Sequence, residues 1–339
     1  MYSFKNDYSE LAHESILQLL NKVSLEQNAG YGLDVHSQKA KTLIQKYFKK
    51  EVDIHFLIGG TSCNKIAISH LLKPYEAVIS VDTGHINVHE AGAIEASGHK
   101  VITTLGVDGK ITPNSIKRVL DHHEGEHMVI PRMVYISNST ELGTIYSKQE
   151  LEAIYQTCKE NNLYLYIDGA RLGVALTSDA NDLTLNDLSN LCDAFYIGGT
   201  KNGALLGEAL IFCNQELAVN FRNTMKLNGG MLAKGFLIGL QFEALFTDEL
   251  FFNLGKQANR TAKLLADGIK SLGLTLAYSS PTNQQFVILK NEIINNLKQT
   301  YDFEVWEKGE DESIIRLVTS WATSPEQIKQ FITDLKALI

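Results

Sequence analysis

Five short apolar runs constrain this chain most: Ala77–Val81, Met133–Ile136, Leu163–Ile167, Ala194–Ile197 and Ala209–Phe212. Each is too short for a buried helix and is bounded by turn residues, so each reads as a buried strand. Helical patterns lie between several of them. Lys148–Asn161 places Leu151, Ile154, Tyr155 and Cys158 on one face, with Ser147 as its N-cap. Strands alternating with helices predict an α/β protein with a largely parallel sheet. After Phe212 the texture changes. Glu216–Leu254 is mostly helical around a break at Asn228–Gly230, and Leu254–Leu272 reads as one long helix. Thr275–Tyr278, Gln285–Leu289 and Ile314–Thr319 read as strands, closed by a helix over Pro325–Leu338. This predicts a smaller α+β domain beginning near residue 250.

The composition is that of a globular protein, 44% hydrophobic and 21% charged over 339 residues. A net charge of −8 argues against a dedicated nucleic-acid binder, which needs a basic footprint. Cys63, Cys158, Cys192 and Cys213 show no CxxC spacing, so neither a structural zinc site nor a secreted disulfide framework is expected. No run has the length of a membrane span, and the N-terminus lacks the apolar centre of a signal peptide. The expectation is a cytoplasmic protein. Asp121–His127 packs three histidines and three acids into seven residues, but their spacing is irregular and no apolar frame surrounds them; a solvated loop is expected there, and no metal site.

In an open parallel sheet, ligands sit outside the carboxyl ends of the strands. The residues just past each strand are therefore informative: Asp82-Thr83-Gly84-His85, Ser137-Asn138-Ser139-Thr140-Glu141, Asp168-Gly169-Ala170-Arg171, and Gly198-Gly199-Thr200-Lys201. A glycine turn, Gly59-Gly60-Thr61-Ser62, opens a further helix. Taken singly these have ordinary readings: a surface lysine, a turn aspartate, a loop histidine, a salt-bridging arginine. Their joint order fits pyridoxal phosphate. That cofactor needs an amine for its aldehyde (Lys201), an acid against the ring nitrogen (Asp168) and a flat group on the ring (His85). It also needs a phosphate cradle, which Gly60, Thr61, Ser62 and Thr200 can form, and Arg171 is a natural fork for a carboxylate. No GxxxxGK[ST] and no GxGxxG comes after a strand, which argues against a nucleotide-binding module.

YIDGARLG (166–173) followed by GGTKNG (198–203) resembles the L-threonine aldolase family. GGTSCN (59–64), GHINVHEAGA (84–93) and RLVTSWATS (316–324) match in family order, and NSTELGTIY (138–146) is similar to the phenylserine-aldolase-like subgroup. The resemblance covers essentially the whole chain. It implies a fold-type I, aspartate-aminotransferase-like architecture, with a mostly parallel seven-stranded sheet in a large domain (1–250) and a small α+β domain (251–339). It implies aldol cleavage of a β-hydroxy-α-amino acid, of threonine, allo-threonine or phenylserine type, to glycine and an aldehyde. β-Elimination, racemisation and transamination are the alternatives on the same scaffold. By position, Lys201 holds the cofactor aldehyde, Asp168 pairs the ring nitrogen and His85 packs on the ring. Asn138 and Arg171 belong to the cofactor surround. Arg316 clamps the substrate carboxylate, with Arg171 nearby, and Asn6 stands where a carboxylate-binding serine is usual. Tyr31 and Lys234 are implied to reach a neighbouring subunit's site in a homodimer or homotetramer. The family's histidine shortly after Asn138 is replaced by Thr140, which leaves His85, Thr140, Glu141 or a water as the base for the β-hydroxyl proton.

Overall fold

The computed structural model describes residues 1–339 and carries out the alternation seen in the sequence. The central sheet has seven strands: β1 (Asp53–Leu57), β2 (Glu76–Val81), β3 (Val101–Thr104), β4 (Ile130–Ser137), β5 (Tyr164–Asp168), β6 (Ala194–Gly198) and β7 (Glu208–Phe212). They lie in the order β1-β7-β6-β5-β4-β2-β3. Only β7 runs against its neighbours. The two strands missing from the sequence reading, β1 and β3, are the sheet edges. Their sequences, DIHFL and VITT, mix polar residues into the run: Thr103 stays exposed on the β3 edge, whereas His55 of β1 is buried against Phe212 and Phe221.

Alternate residues of the inner strands face opposite layers, as a period of two requires. Val134, Ile136, Leu165, Ile167, Phe195 and Ile197 join one core, while Met133, Tyr135, Tyr166 and Tyr196 join the other. Two helices matter most for the site. α1 (Gly60–Leu71) begins directly after β1, and α2 (Lys148–Glu160) starts from a capping box between Ser147 and Glu150. Apolar α3 (Phe236–Phe246) packs inside, with nine buried residues in its eleven.

Long helix α4 (Leu250–Ser271) leads into a three-stranded antiparallel sheet of β8 (Gln284–Lys290), β9 (Glu304–Glu307) and β10 (Glu312–Val318). α5 (Pro325–Lys336) covers it, and together they enclose a third core. The strand expected over Thr275–Tyr278 is reduced to one bridge, Leu276 to Val287, before Ser279-Ser280-Pro281 turns the chain away. The first residues also depart from expectation. Tyr2–Ser3 pairs in parallel with Tyr301–Asp302, and Phe4 is fully buried in the C-terminal core rather than the large one. An apolar side chain that early in the sequence finds its cover across the molecule. Asp121–His127 is the end of a helix and an exposed turn. No helix is long and apolar enough to cross a membrane.

Candidate active site

Register brings the chemistry to one sheet edge. Ser137 is paired with Asp168, and Gly198 with Glu208, so the residues just past β4, β5 and β6 emerge side by side. Asp168 is the centre. Its Oδ2 accepts from the Tyr135 hydroxyl at 2.6 Å and the Asn64 amide at 2.9 Å. Its Oδ1 accepts from the Tyr196 hydroxyl at 2.5 Å and the Ala170 amide at 3.0 Å. Burial works against the charged form. The His85 charge and the bonds from Tyr135, Tyr196 and Asn64 outweigh it, so the carboxyl is held below its ordinary value.

Asn64 extends the network: its amide also donates to Glu90 Oε1 at 2.7 Å, and the same oxygen is 2.8 Å from His85 Nδ1. Burial lowers the His85 pKa, but the Glu90 bond and the Asp168 and Glu141 charges reverse that and raise it. His85, Glu90 and Asp168 each bring a ligand-type atom within 4.8 Å of the others. The Asn64 N–H groups already donate into both carboxylates, so hydrogen bonds hold this cluster together.

Lys201 lies in the turn after β6. It is half-buried, and its amine has no hydrogen bond within the chain; the Tyr8 ring centre lies 5.8 Å away. Packing around the amine, then the Arg171 charge, pushes its pKa down, opposed by Asp7, Glu141 and Asp168. The first turn of α1 is open: Gly59 offers no side-chain cap, and a Cβ placed there meets nothing within 4 Å. The free first-turn amides of a helix favour an anion. Gly60 must be glycine, because a Cβ there would lie 2.9 Å from the Tyr196 hydroxyl. Thr61 is exposed and Ser62 half-buried beside it. Thr200 has its hydroxyl engaged, donating to Glu208 Oε1 at 2.8 Å and accepting from the Gly207 amide at 3.0 Å. Asn138 Oδ1, Asn64 Oδ1, Glu90 Oε2 and the Tyr166 hydroxyl are buried without partners.

The residues expected at the substrate carboxylate are differently occupied. Arg171 has its fork occupied: Nε and Nη2 bind both oxygens of Asp7 at 2.7 and 3.0 Å. Arg316 pairs with Glu304 at 2.5 Å, bonds Gln284 at 3.2 Å and lies 5.1 Å over the Trp306 ring, with Nε buried and free. Its pKa is lowered by burial first and then by the Arg171 charge. Asn6 Oδ1 turns back to Tyr8 N and Ser9 Oγ, both at 3.0 Å. Thr140 is tied to the Thr144 hydroxyl at 2.7 Å. Tyr31 and Lys234 are exposed and share one surface patch, where the Tyr31 amide donates to the Ala233 carbonyl at 3.1 Å. Sequence reasoning missed Asn64, Glu90, Tyr135, Tyr196, Asp7 and Glu208. The tyrosines sat inside runs read as apolar, though each falls near a strand's carboxyl end.

A family model for beta-eliminating lyases matches residues 14–292. A low specificity L-threonine aldolase of Pseudomonas aeruginosa is 30% identical over 316 residues, covering 91% of this chain and 90% of that one. A solved threonine aldolase of Leishmania major superposes with a TM-score of 0.98 at 48% identity, covering 100% of this chain and 99% of that one. A Thermus thermophilus aspartate aminotransferase shares the fold, with a TM-score of 0.71 at 13% identity, covering 100% and 92%.

Proposed function

The chain belongs to the beta-eliminating lyase family, in its threonine aldolase group, and from that premise we infer that it is a pyridoxal-phosphate-dependent lyase. It cleaves a β-hydroxy-α-amino acid of the threonine type to glycine and an aldehyde. The observation that carries the reading is Lys201: an amine without a partner, its pKa lowered, on the same sheet edge as an ionised Asp168 and as His85.

The residues fit the cofactor. Lys201 would hold its aldehyde, Asp168 the protonated ring nitrogen, His85 the ring face, and the open first turn of α1 with Thr61, Ser62 and Thr200 the phosphate. Asn138 lies beside Asp168, its backbone N–H donating to the Asp168 backbone carbonyl at 2.9 Å. When bound, pyridoxal phosphate supplies a ring that accepts the electron pair freed at the substrate's Cα. Everything else falls to the chain. Arg316 would hold the substrate carboxylate by exchanging Glu304 or Gln284 for it. Asp7 keeps Arg171 from turning and compensates its charge, so Arg171 is a fixed wall of the site rather than a second free clamp. Such orientation lowers a barrier by on the order of several kcal/mol.

The β-hydroxyl proton leaves to a base, and Cα later regains a proton. Thr140 does not serve, because its hydroxyl is bonded to Thr144 and is weakly basic. His85 and Glu141 remain, acting directly or through a water. Glu141 is buried and makes no hydrogen bond within the chain, and its charge acts on His85, Lys201 and Arg171 together. The test is Lys201→Ala. It abolishes the cofactor absorbance band near the visible edge and the release of glycine from phenylserine and threonine. Retained turnover overturns the assignment. In the unaltered protein, ammonia with a keto acid in place of glycine with an aldehyde would instead establish β-elimination.

A further inference from the structure

Glu208 is the buried acid that the mechanism leaves without a task. It opens β7, is 4% exposed, and turns its side chain beneath the Gly199-Thr200-Lys201 turn. Oε2 accepts from the Gly199 amide at 2.8 Å, and Oε1 accepts from the Thr200 hydroxyl at 2.8 Å. No ion pair involves it. The charges acting on it are the Lys201 amine and the Asp168 carboxylate. The other titratable groups near it are the Cys63 thiol of α1 and the Tyr166 and Tyr196 hydroxyls of β5 and β6. Burial pushes all three well above their ordinary values, so all stay neutral.

The arrangement conflicts with an anion. A threonine hydroxyl has one proton, and here Glu208 holds it. Such a hydroxyl offers a phosphate only lone pairs, and a carboxylate stands behind them. Resting on the reading of the cradle above, we propose that Glu208 takes up a proton when the cofactor's phosphate binds. One O–H bond forms at Oε1, with the proton drawn from solvent. The neutral carboxyl then donates to Thr200 Oγ1, and Thr200 turns its own proton to the phosphate. Every valence closes: Oγ1 accepts from Glu208 and from the Gly207 amide and donates to the phosphate, while Oε2 keeps the Gly199 amide. Glu208 is thus a positioning residue, acting through Thr200. Burial already raises its carboxyl to about 7 against its two hydrogen bonds and Lys201, so little is needed to protonate it near neutrality.

The sign is definite. Above about 7 the proton must be recruited, so cofactor affinity falls as pH rises, by up to about tenfold per pH unit for one proton. Glu208→Gln copies the protonated state, its amide oxygen taking the Gly199 N–H and its NH2 facing Thr200. Absorbance titration with pyridoxal phosphate between pH 7 and 9 is expected to show the variant overtaking the unaltered protein, the ratio of their dissociation constants widening with pH. A ratio that stays flat overturns the proposal. Calorimetry of inorganic phosphate binding to the unaltered, cofactor-stripped chain, in two buffers of different ionisation enthalpy at pH 8, needs no variant. Proton uptake exceeding that of phosphate itself supports the proposal, and its absence overturns it. If pyridoxal phosphate binds neither protein, the cradle reading fails and takes this inference with it.

Discussion

Asp168 shows how a single residue is made fit for one charge state. Taking a carboxylate out of water is costly, and three side-chain donors with one backbone amide offset that cost. Each donor is therefore worth more than a surface hydrogen bond. Tyr135→Phe removes one and leaves the shape nearly unchanged. It is expected to destabilise the chain by about 1–3 kcal/mol, from the cost of an under-satisfied buried acceptor. It also lets the Asp168 pKa rise toward its ordinary value, weakening its hold on a protonated ring nitrogen. Denaturant unfolding and the pH dependence of turnover check the two effects separately. Unchanged stability with an unchanged pH profile would show that Tyr135 is packing only.

At the scale of elements, the legible part was local. α2 and its Ser147 cap come from a periodic pattern and a capping residue a few positions apart, and the structure has both. The five apolar runs all became strands, and the polar residues after four of them met at one edge. The part that escaped was set by partners distant in sequence. Asp7 is 164 residues from Arg171, and nothing near either one announces the pair. The tyrosines of β4 and β6 reach Asp168 only through sheet register. The motif around Arg171 points to the substrate, but nothing in it announces that Asp7 holds two of its guanidinium nitrogens. That pair makes a pH-dependent contribution. Burial opposes the Asp7 charge, but Arg171 and Lys201 outweigh it and depress its pKa. The stabilisation is present above the ordinary carboxyl range and is lost as pH falls through the depressed value. Asp7→Asn leaves a buried arginine uncompensated and is expected to cost about 3–5 kcal/mol at neutral pH. The deficit shrinks in acid, and KM for the amino acid rises as Arg171 loosens. Thermal melts from pH 7 down to 3 read the first effect. A deficit independent of pH would mean that the loss is one of packing.

Across the whole molecule, the N-terminal segment ties the two halves. Phe4 sits in the C-terminal core against Phe331, with ring centres 5.1 Å apart, and three residues later Asp7 reaches the site of the large sheet. Phe4→Ala opens a cavity in that core, expected to cost about 3–5 kcal/mol. The same change slackens the segment that carries Asp7, so KM is expected to rise although Phe4 touches no site residue. Steady-state kinetics beside a denaturation curve separate the two effects. Lost stability with unaltered KM would show that the segment anchors only the small core.

That tie also orders events during synthesis. Tyr2 and Ser3 pair with Tyr301 and Asp302, so during synthesis they wait for partners made about 300 residues later. At about 5–20 residues per second the wait is roughly 15–60 s. A nascent chain halted before Thr300 can build the central sheet and bring Asp168 to its edge, yet Phe4 still lacks the core that buries it.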